Sequence, residues 1–266
     1  MDFTGKGVVV TGGTSGIGAA LALAFAEAGA AVAITGRDAD RGARVRRAVE
    51  GAGASCVFVQ ADLRDPGAYG RIVEECAGGL GRLDVLVNNA ATLHRTNLMD
   101  AADEQWLETM AVNVNAVFFL SREAARVMKA AGGGVIVNIS SEMGRMGNPR
   151  SIPYCVSKAA LIQLSRAMAL DLARDNIRVN AVAPGGTRTA MLEQTVVDQG
   201  YEVEEGLIAY SRRVPMKRFA SMDEVTPAIL FIASDAASYI TGAVLSVDGG
   251  STATGPGAPL EDAKTT

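Results

Sequence analysis

A tyrosine and a lysine stand four residues apart in the stretch "YCVSK", as Tyr154 and Lys158, where a helical pattern begins. Residues i and i+4 of a helix share one face, so the two side chains can meet. A free tyrosine has a pKa of ~10, too high for easy proton exchange near neutrality. A nearby ammonium lowers that pKa, and a group titrating closer to the working pH transfers protons better. The pair predicts a tuned proton donor; the alternative is an ordinary outer helix face.

A glycine-rich turn, "TGGTSGIG" at 11–18, follows the first apolar run and leads directly into a helical pattern. Its glycines permit a tight turn and a close backbone approach to a pyrophosphate, which a helix N-terminus attracts. A P-loop NTPase would need a Lys-Ser/Thr pair after the last glycine, and none is present. The turn therefore predicts a dinucleotide site formed by Gly12, Thr14, Ser15, Gly16, Ile17 and Gly18.

The end of the second apolar run indicates which dinucleotide is bound. An acid at this place would bond the ribose 2′-hydroxyl, but the sequence has Gly36 and then Arg37. Arginine presents a fork of donors that suits a phosphate group. Arg37 therefore favours NADP(H). Asp38 follows at once, so NAD(H) stays open as the alternative.

Seven short apolar runs alternate with helix-length, Ala-rich segments. Runs that are apolar almost throughout are typical of strands buried on both faces of a parallel sheet. The alternation predicts an α/β fold, a single-domain Rossmann-type doubly wound parallel sheet of about seven strands with helices on both faces. The runs lie at 7–12, 30–36, 55–62, 83–90, 134–140, 177–184 and 243–250.

No linker or repeat divides the chain, so residues 1–250 are predicted to form one dinucleotide-binding and catalytic domain. Residues 186–222 interrupt the alternation just after a strand end, where ligands bind in open α/β sheets. We interpret them as a substrate cover; the alternative is a helical insertion that has no role in binding. Residues 251–266 are rich in small and polar side chains and are predicted to be a flexible tail.

Composition limits the partners. The 266 residues carry a net charge of −4, which argues against a nucleic-acid partner. The three cysteines show neither metal-ligand spacing nor a paired framework, and no His/Cys/carboxylate cluster suggests a metal. No apolar run reaches the ~20 residues that cross a bilayer. We therefore expect a cytoplasmic protein with no metal and no membrane partner.

These motifs, taken in order, resemble the short-chain dehydrogenase/reductase family, and in particular its 3-oxoacyl-ACP reductase and glucose dehydrogenase-like members. The resemblance covers about residues 5–250. Ala91 departs from the family's NNAG motif, and Glu142 stands where smaller or apolar residues are usual. The matching stretches are "TGGTSGIG", Asp62-Leu63, "NNAA" (88–91), Asn113 in "AVNVNAVF", "NISS" (138–141), "YCVSK", "PGGTRT" (184–189), "VPMKRFASMDEV" and "VDGG".

The resemblance implies a catalytic set of Asn113, Ser141, Tyr154 and Lys158. Family spacing places the serine thirteen residues before the tyrosine, which selects Ser141 and leaves Ser140 a strand-end role. Tyr154 would exchange a proton with the substrate oxygen, Ser141 would stabilise its charge, and Asn113 would hold a water that links Lys158 to solvent. Lys158 and the oxidised nicotinamide would lower the Tyr154 pKa. The implied cofactor contacts are Asp62, Leu63, Asn89, Ala90, Tyr154, Lys158, Pro184, Gly185, Thr187 and Thr189.

The expected activity is NADP(H)-preferring hydride transfer between a ketone or aldehyde and an alcohol. The alternatives are an NAD-dependent alcohol or polyol dehydrogenase and a non-catalytic dinucleotide-sensing regulator. His94 is either a substrate contact or a surface-loop residue, and Glu142 either points to solvent or contacts a polar substrate. The resemblance also implies a homotetramer with its interface on the helices at 103–130 and 153–174. The substrate-contact candidates are His94, Glu142, Met143 and Met191.

Overall fold

The computed structural model describes residues 1–253. All seven predicted strands are confirmed: β1 (Gly7–Val10), β2 (Ala31–Gly36), β3 (Cys56–Gln60), β4 (Val85–Asn88), β5 (Gly134–Ile139), β6 (Ile177–Pro184) and β7 (Val244–Val247). They form one parallel sheet in the order β3-β2-β1-β4-β5-β6-β7.

The strands lie between two layers of helices, so the doubly wound architecture is confirmed. Val8 and Val10 point into the core that contains Phe25 and Ile229. Val9 between them belongs to the opposite core, so alternate residues of one strand are buried on both faces. The helices are α1 (Gly16–Glu27), α2 (Ala39–Gly51), α3 (Ala68–Leu80), α4 (Asp103–Met110), α5 (Ala116–Ala130), α6 (Ile152–Leu172), α7 (Ala190–Val197), α8 (Val203–Ser211) and α9 (Met222–Ala233).

The chain reverses its direction across the sheet between β1 and β4, which pair in parallel through Val8 and Val85. From β1 the chain first builds β2 and β3 on one side, and it then crosses back to β4. At such a switch point the loops after neighbouring strands separate and leave a crevice at their carboxyl ends. The glycine turn follows β1 and the "NNAA" loop follows β4, so both open into this crevice.

A π-helical turn, Ala111–Asn115, joins α4 to α5 without a break. It carries Asn113, whose side chain is fully buried. The Asn113 Oδ1 accepts from the Thr92 N–H at 2.8 Å, and its Nδ2 donates to the Thr92 carbonyl at 2.9 Å and to Ser157 Oγ at 3.0 Å. Asn113 therefore ties the loop after β4 to α6. Turns of this kind often mark functional sites.

Residues 186–222 contain α7 and α8, which pack on each other beyond the end of β6. Val196 and Leu207 are buried. Gly186 permits the segment to close, because a Cβ at this position would lie 2.3 Å from the Phe219 ring. In the part of the chain that the structure describes, no helix is long and apolar enough to cross a membrane. The predicted tail, 251–266, lies outside the described residues from residue 254 onward.

Candidate active site

The carboxyl ends of the strands open into a cleft of about 610 Å³. The structure brings most of the predicted site residues together there, whereas Gly18, Asn113 and His94 are not among the described residues that line it. The predicted residues that do line it are Gly12, Thr14, Ser15, Gly16, Ile17, Arg37, Asp62, Leu63, Asn89, Ala90, Ser141, Glu142, Met143, Tyr154, Lys158, Pro184, Gly185, Thr187, Thr189 and Met191.

The glycine turn has the shape of a pyrophosphate cradle. Gly12 and Gly16 adopt φ of +63° and +52°, in the region that favours glycine. A Cβ on Gly12 would lie 2.8 Å from the Ala90 Cα, and one on Gly18 would lie 2.3 Å from the Gly12 carbonyl oxygen. Ser15 caps α1 without a side-chain hydrogen bond in the described structure, which leaves the first N–H groups of the helix for a ligand. The cradle therefore fits a dinucleotide pyrophosphate.

The "NNAA" loop is held against this turn by Thr11. The Thr11 Oγ1 accepts from the N–H groups of Asn89 at 3.0 Å and Ala90 at 3.1 Å. The Asn89 side chain returns a hydrogen bond to the Thr11 carbonyl at 3.0 Å. Among residues 1–253, Ala91 is not one of the non-glycine residues with positive φ, so alanine introduces no backbone strain where the family has glycine.

The adenosine end of the cleft contains two arginines. A Cβ on Gly36 would lie 2.5 Å from Thr14 Cγ2, so this position has no room for a carboxylate. Asp38 instead caps α2, because its Oδ1 accepts from the Arg41 N–H at 2.9 Å. Arg37 forms no ion pair within residues 1–253. Arg41 also lines the cleft. Sequence reasoning missed Arg41, although its position four residues after Arg37 was a usable signal.

A chain of charged side chains begins at Asp62, after β3. Arg64 Nε donates to both Asp62 carboxylate oxygens, at 3.0 and 2.9 Å, and this hydrogen bonding holds the pKa of Asp62 below its usual value. Arg64 also pairs with Glu108 at 3.5 Å. Glu108 in turn binds His94 Nε2 at 2.9 Å. This bond ties His94, in the loop after β4, to Glu108 of α4, and His94 is not among the described residues that line the cleft.

Ser141 and Tyr154 meet at the opposite end of the cleft. Ser141 follows β5 in extended backbone, and its Oγ accepts from the Met143 N–H at 3.2 Å. A hydrogen bond joins the hydroxyls of Ser141 and Tyr154, and it favours the tyrosine phenolate. Ser140 has the strand-end role expected of it, because its buried hydroxyl donates to the Lys158 carbonyl at 2.7 Å. The two serines thus differ in use: Ser140 fastens α6 to β5, and Ser141 faces the cleft.

Lys158 is buried close to the ring of Tyr154. It is 2% exposed, and its Nζ donates to the Ile139 carbonyl at 2.8 Å. The same nitrogen lies 5.5 Å from the centre of the Tyr154 ring. Burial lowers the pKa of Lys158 to about 7, since the cation loses its hydration. Near neutrality the lysine is therefore poised between its charged and neutral forms.

The expected lowering of the Tyr154 pKa is not seen in the protein by itself. Burial raises the pKa of Tyr154 to about 12 and outweighs the hydrogen bond from Ser141, which lowers the pKa; Cys155 and Glu142 add smaller increases. The expectation considered only the positive charges near Tyr154, which lower its pKa. It left out the loss of hydration on burial, which raises the pKa. Without a bound cofactor, Tyr154 is a protonated phenol at neutral pH.

The alternative that Glu142 points to solvent is wrong. Its carboxyl group turns inward and accepts hydrogen bonds from the Ser251 hydroxyl and the Gly186 N–H. Its Oε2 is buried and has no hydrogen-bond partner among the described residues. This oxygen lies 3.0 Å from the position that a Cβ on Gly185 would take. Burial, together with nearby Asp248, raises the pKa of Glu142.

The loop after β6 closes this end of the cleft. The Thr187 hydroxyl donates to the Gly185 carbonyl at 3.1 Å. Thr189 caps α7, where its Oγ1 accepts from the Leu192 N–H at 3.2 Å. Met191 of α7 and Met143 after β5 add apolar side chains to the lining of the cleft. Its polar groups therefore stand among apolar ones, as in many small-molecule sites.

Comparison with known proteins identifies the family. Residues 12–252 match the family described as "Enoyl-(Acyl carrier protein) reductase". An "Uncharacterized oxidoreductase" of Thermotoga maritima is 43% identical over 253 residues, which cover 95% of this chain and 100% of the relative. The chain belongs to the short-chain dehydrogenase/reductase family.

Relatives within this short-chain dehydrogenase/reductase family are similar over their whole length. The "Cis-4-hydroxycyclohexanecarboxylate dehydrogenase" of Sinomonas cyclohexanicum is 40% identical, with 94% of this chain and 98% of the relative covered. A solved structure of a putative NAD(P)-dependent gluconate 5-dehydrogenase from Beutenbergia cavernae, with bound NADP, has a TM-score of 0.87 and 38% identity, covering 95% of this chain and 99% of that one. As a member of the family, the protein is an NAD(P)-dependent oxidoreductase.

Proposed function

We propose that the protein is an NADP(H)-preferring reductase that interconverts a ketone or aldehyde with its alcohol, with Tyr154 as the general acid and base. The observation that carries this proposal is the pairing of Tyr154 with Ser141 at the closed end of a cleft whose other end is a pyrophosphate cradle. A substrate oxygen that approaches both hydroxyls receives a hydrogen bond from each of them.

The nicotinamide, when bound, supplies or accepts the hydride at the substrate carbon. In reduction, Tyr154 gives its proton to the carbonyl oxygen, and the phenolate that remains is stabilised by the Lys158 charge. Its raised pKa keeps Tyr154 protonated at the start of this step. Ser141 donates a hydrogen bond to the same oxygen as negative charge develops on it. In oxidation the phenolate takes the alcohol proton.

The proposed Asn113 water relay stays a prediction, and the structure limits its form. Both N–H bonds of the Asn113 side chain are used, by the Thr92 carbonyl and by Ser157. A relay water would therefore have to bond other polar atoms of this turn. The side chain itself acts as a brace between the loop after β4 and α6.

The preference for NADP(H) is supported at the adenosine end. Gly36 leaves no room for a ribose-binding carboxylate, and Asp38 is engaged in capping α2. Arg37 and Arg41 are then the side chains that face a 2′-phosphate, whose charge and geometry suit guanidinium groups. The relative from Beutenbergia cavernae holds NADP in its solved structure.

Three further expectations belong to the same proposal. Residues 186–222 form the substrate cover, since Met191, Leu192 and Thr195 of α7 line the cleft. A homotetramer is supported by exposed apolar side chains on α5 and α6, among them Phe118 and Leu170 at 43% and 81% exposure. A cytoplasmic setting rests on the unpaired cysteines and stays a prediction.

The test is turnover of a panel of ketones and alcohols by the wild type and Tyr154→Phe. The variant keeps the ring and loses the proton, so kcat should fall by roughly 10²- to 10⁴-fold, while NADPH binding, followed by its fluorescence, should persist. Tyr239→Phe is the control, because Tyr239 is fully exposed. Full turnover in Tyr154→Phe would contradict the assignment. A wild type that binds NADPH without turning over any substrate would favour the non-catalytic sensor.

A further inference from the structure

The carboxylate of Glu142 and the backbone of Asp248 lie against Gly185. A Cβ added there would lie 3.0 Å from Glu142 Oε2 and 2.7 Å from the Asp248 Cα. Gly185 itself lines the cleft at the end of β6. Glu142 lines the cleft as well, and Gly185 has no side chain that could come between the Glu142 carboxylate and a bound ligand.

Neither carboxylate has a positive partner within residues 1–253. Asp248 accepts from the N–H groups of Gly250 and Thr252, each at 3.0 Å. Glu142 accepts from Gly186 and Ser251, and its Oε2 has no partner among the described residues. None of the ion pairs in this part of the chain includes either acid.

A carboxylate that is buried without a counter-charge is costly, so it either takes up a proton or meets a positive charge from elsewhere. Arg145, three residues after Glu142, bonds Ser246 instead of the acid. Of the groups expected at this end of the cleft, the oxidised nicotinamide ring carries a full positive charge and the reduced ring carries none. The cofactor is thus a counter-charge that is present in one oxidation state and absent in the other.

We propose that Glu142 is the counter-charge of the oxidised nicotinamide and makes the protein bind NADP⁺ more tightly, relative to NADPH, than a neutral residue would. This inference rests on the proposed function, because it requires that the cleft hold NADP(H). Its consequence is directional. Stabilising the oxidised cofactor on the protein shifts the bound equilibrium towards NADP⁺ and alcohol, so the enzyme-bound complex favours carbonyl reduction, while the equilibrium in solution is unchanged.

The experiment compares the Kd values of NADP⁺ and NADPH, without substrate, in the wild type and Glu142→Gln. Glutamine keeps the shape and an acceptor for the Gly186 N–H, but it loses the charge. The ratio Kd(NADP⁺)/Kd(NADPH) should rise at least about tenfold, because even a partly screened unit charge inside a protein changes a binding equilibrium by this much, with the Kd of NADPH nearly unchanged. Calorimetry gives both values.

Two further variants complete the design. Glu142→Ala also removes the hydrogen bonds to Gly186 and Ser251, so it should weaken both cofactors and still show the tenfold change in ratio; it carries the test if the glutamine variant does not fold. Glu224→Gln removes one negative charge from an exposed pair with Arg218 and should leave the ratio unchanged.

Two outcomes would overturn the proposal, and they are distinguishable. If both Kd values rise equally in Glu142→Gln, the carboxylate only holds the turn, and the proposed function survives. If the wild type binds neither NADP⁺ nor NADPH, the proposed function fails and this inference fails with it. A ratio that shifts in both Glu142 variants but not in Glu224→Gln supports the counter-charge role.

Discussion

The two ends of the cleft hold their charges in opposite ways. At the adenosine end Asp62 and Arg64 form a pair whose side chains are 36% and 50% exposed. At the reacting end Lys158 is 2% exposed, and in residues 1–253 it belongs to no ion pair. The hydrogen-bonded partner sets the pKa at the open end, whereas loss of hydration sets it at the closed end.

This difference separates recognition from chemistry. Exposed charges are screened by salt and contribute little to stability, but they attract and orient a charged ligand. Enclosed charges are costly to the fold and shift far from their usual pKa, which suits proton transfer at neutral pH. Substitutions at the closed end should therefore have the larger effects, on both activity and stability.

The largest effect is expected from Lys158→Met, at the closed end. Loss of the buried cation should lower kcat by roughly 10²- to 10⁴-fold, because the Tyr154 phenolate loses its stabilising charge. Steady-state kinetics with the best substrate of the panel measures this change. Lys129→Met, at a side chain that is 65% exposed, is the matched control and should retain activity. Equal losses in the two variants would contradict the comparison.

Lys158→Met should also change how stability depends on pH. The lysine titrates near ~10.4 in the unfolded chain and at about 7 in the folded protein. Between these values the unfolded chain binds more protons, so the wild type should gain stability as the pH rises from about 7 to about 10. The methionine variant should lack this gain. Urea unfolding at several pH values tests it, and parallel pH profiles for the two proteins would show that burial does not set the Lys158 pKa.

An intermediate effect is expected from Arg37→Ala, at the open end. Loss of the charged hydrogen bonds to a 2′-phosphate should lower kcat/KM for NADPH by about 10- to 100-fold, and should change it for NADH by less than about twofold. The loss should shrink in high salt. Arg44→Ala is the control, since Arg44 lies on α2 but is not among the described cleft-lining residues. An unchanged preference for NADPH in Arg37→Ala would show that Arg37 does not contact the phosphate.

The smallest effect is expected from Arg64→Ala. This variant breaks the chain from Asp62 to His94 through Glu108, but Arg64 itself is half exposed, so its ion pairs are screened by solvent. We expect kcat/KM to change by less than about twofold and the melting temperature to stay the same. A tenfold loss would mean that Arg64 fixes the orientation of Asp62 for the adenine, and the open end would then be as constrained as the closed one.

The features that sequence predicted are those set by neighbouring residues or by strong periodicity. The seven strands are apolar almost throughout, and the turn at Gly12 needs a glycine whatever surrounds it. Tyr154 and Lys158 share one helix, so their proximity follows from spacing alone. Ser141 could be chosen over Ser140 only from the family resemblance, because the two neighbouring serines have the same side-chain chemistry.

The features that sequence could not predict depend on distant contacts. The inward turn of Glu142 depends on Gly186 and Ser251, far along the chain. His94 is held by Glu108, fourteen residues away on a different element. The raised pKa of Tyr154 comes from burial by residues that are distant in sequence, and no local sequence pattern predicts that burial.

The π-helical turn at Ala111–Asn115 makes the length of this segment matter as well as the identity of Asn113. Each residue of an α-helix turns the chain by about 100°, so one extra residue in the turn rotates α5 relative to a straight continuation of α4. That rotation lets α4 pack on α6 while α5 packs on α3. Deleting a single residue here would roll Leu120 and Ala124 out of the core. Loop grafts and chimaeras with relatives should therefore keep the residue count of this segment, even where its sequence is free to change.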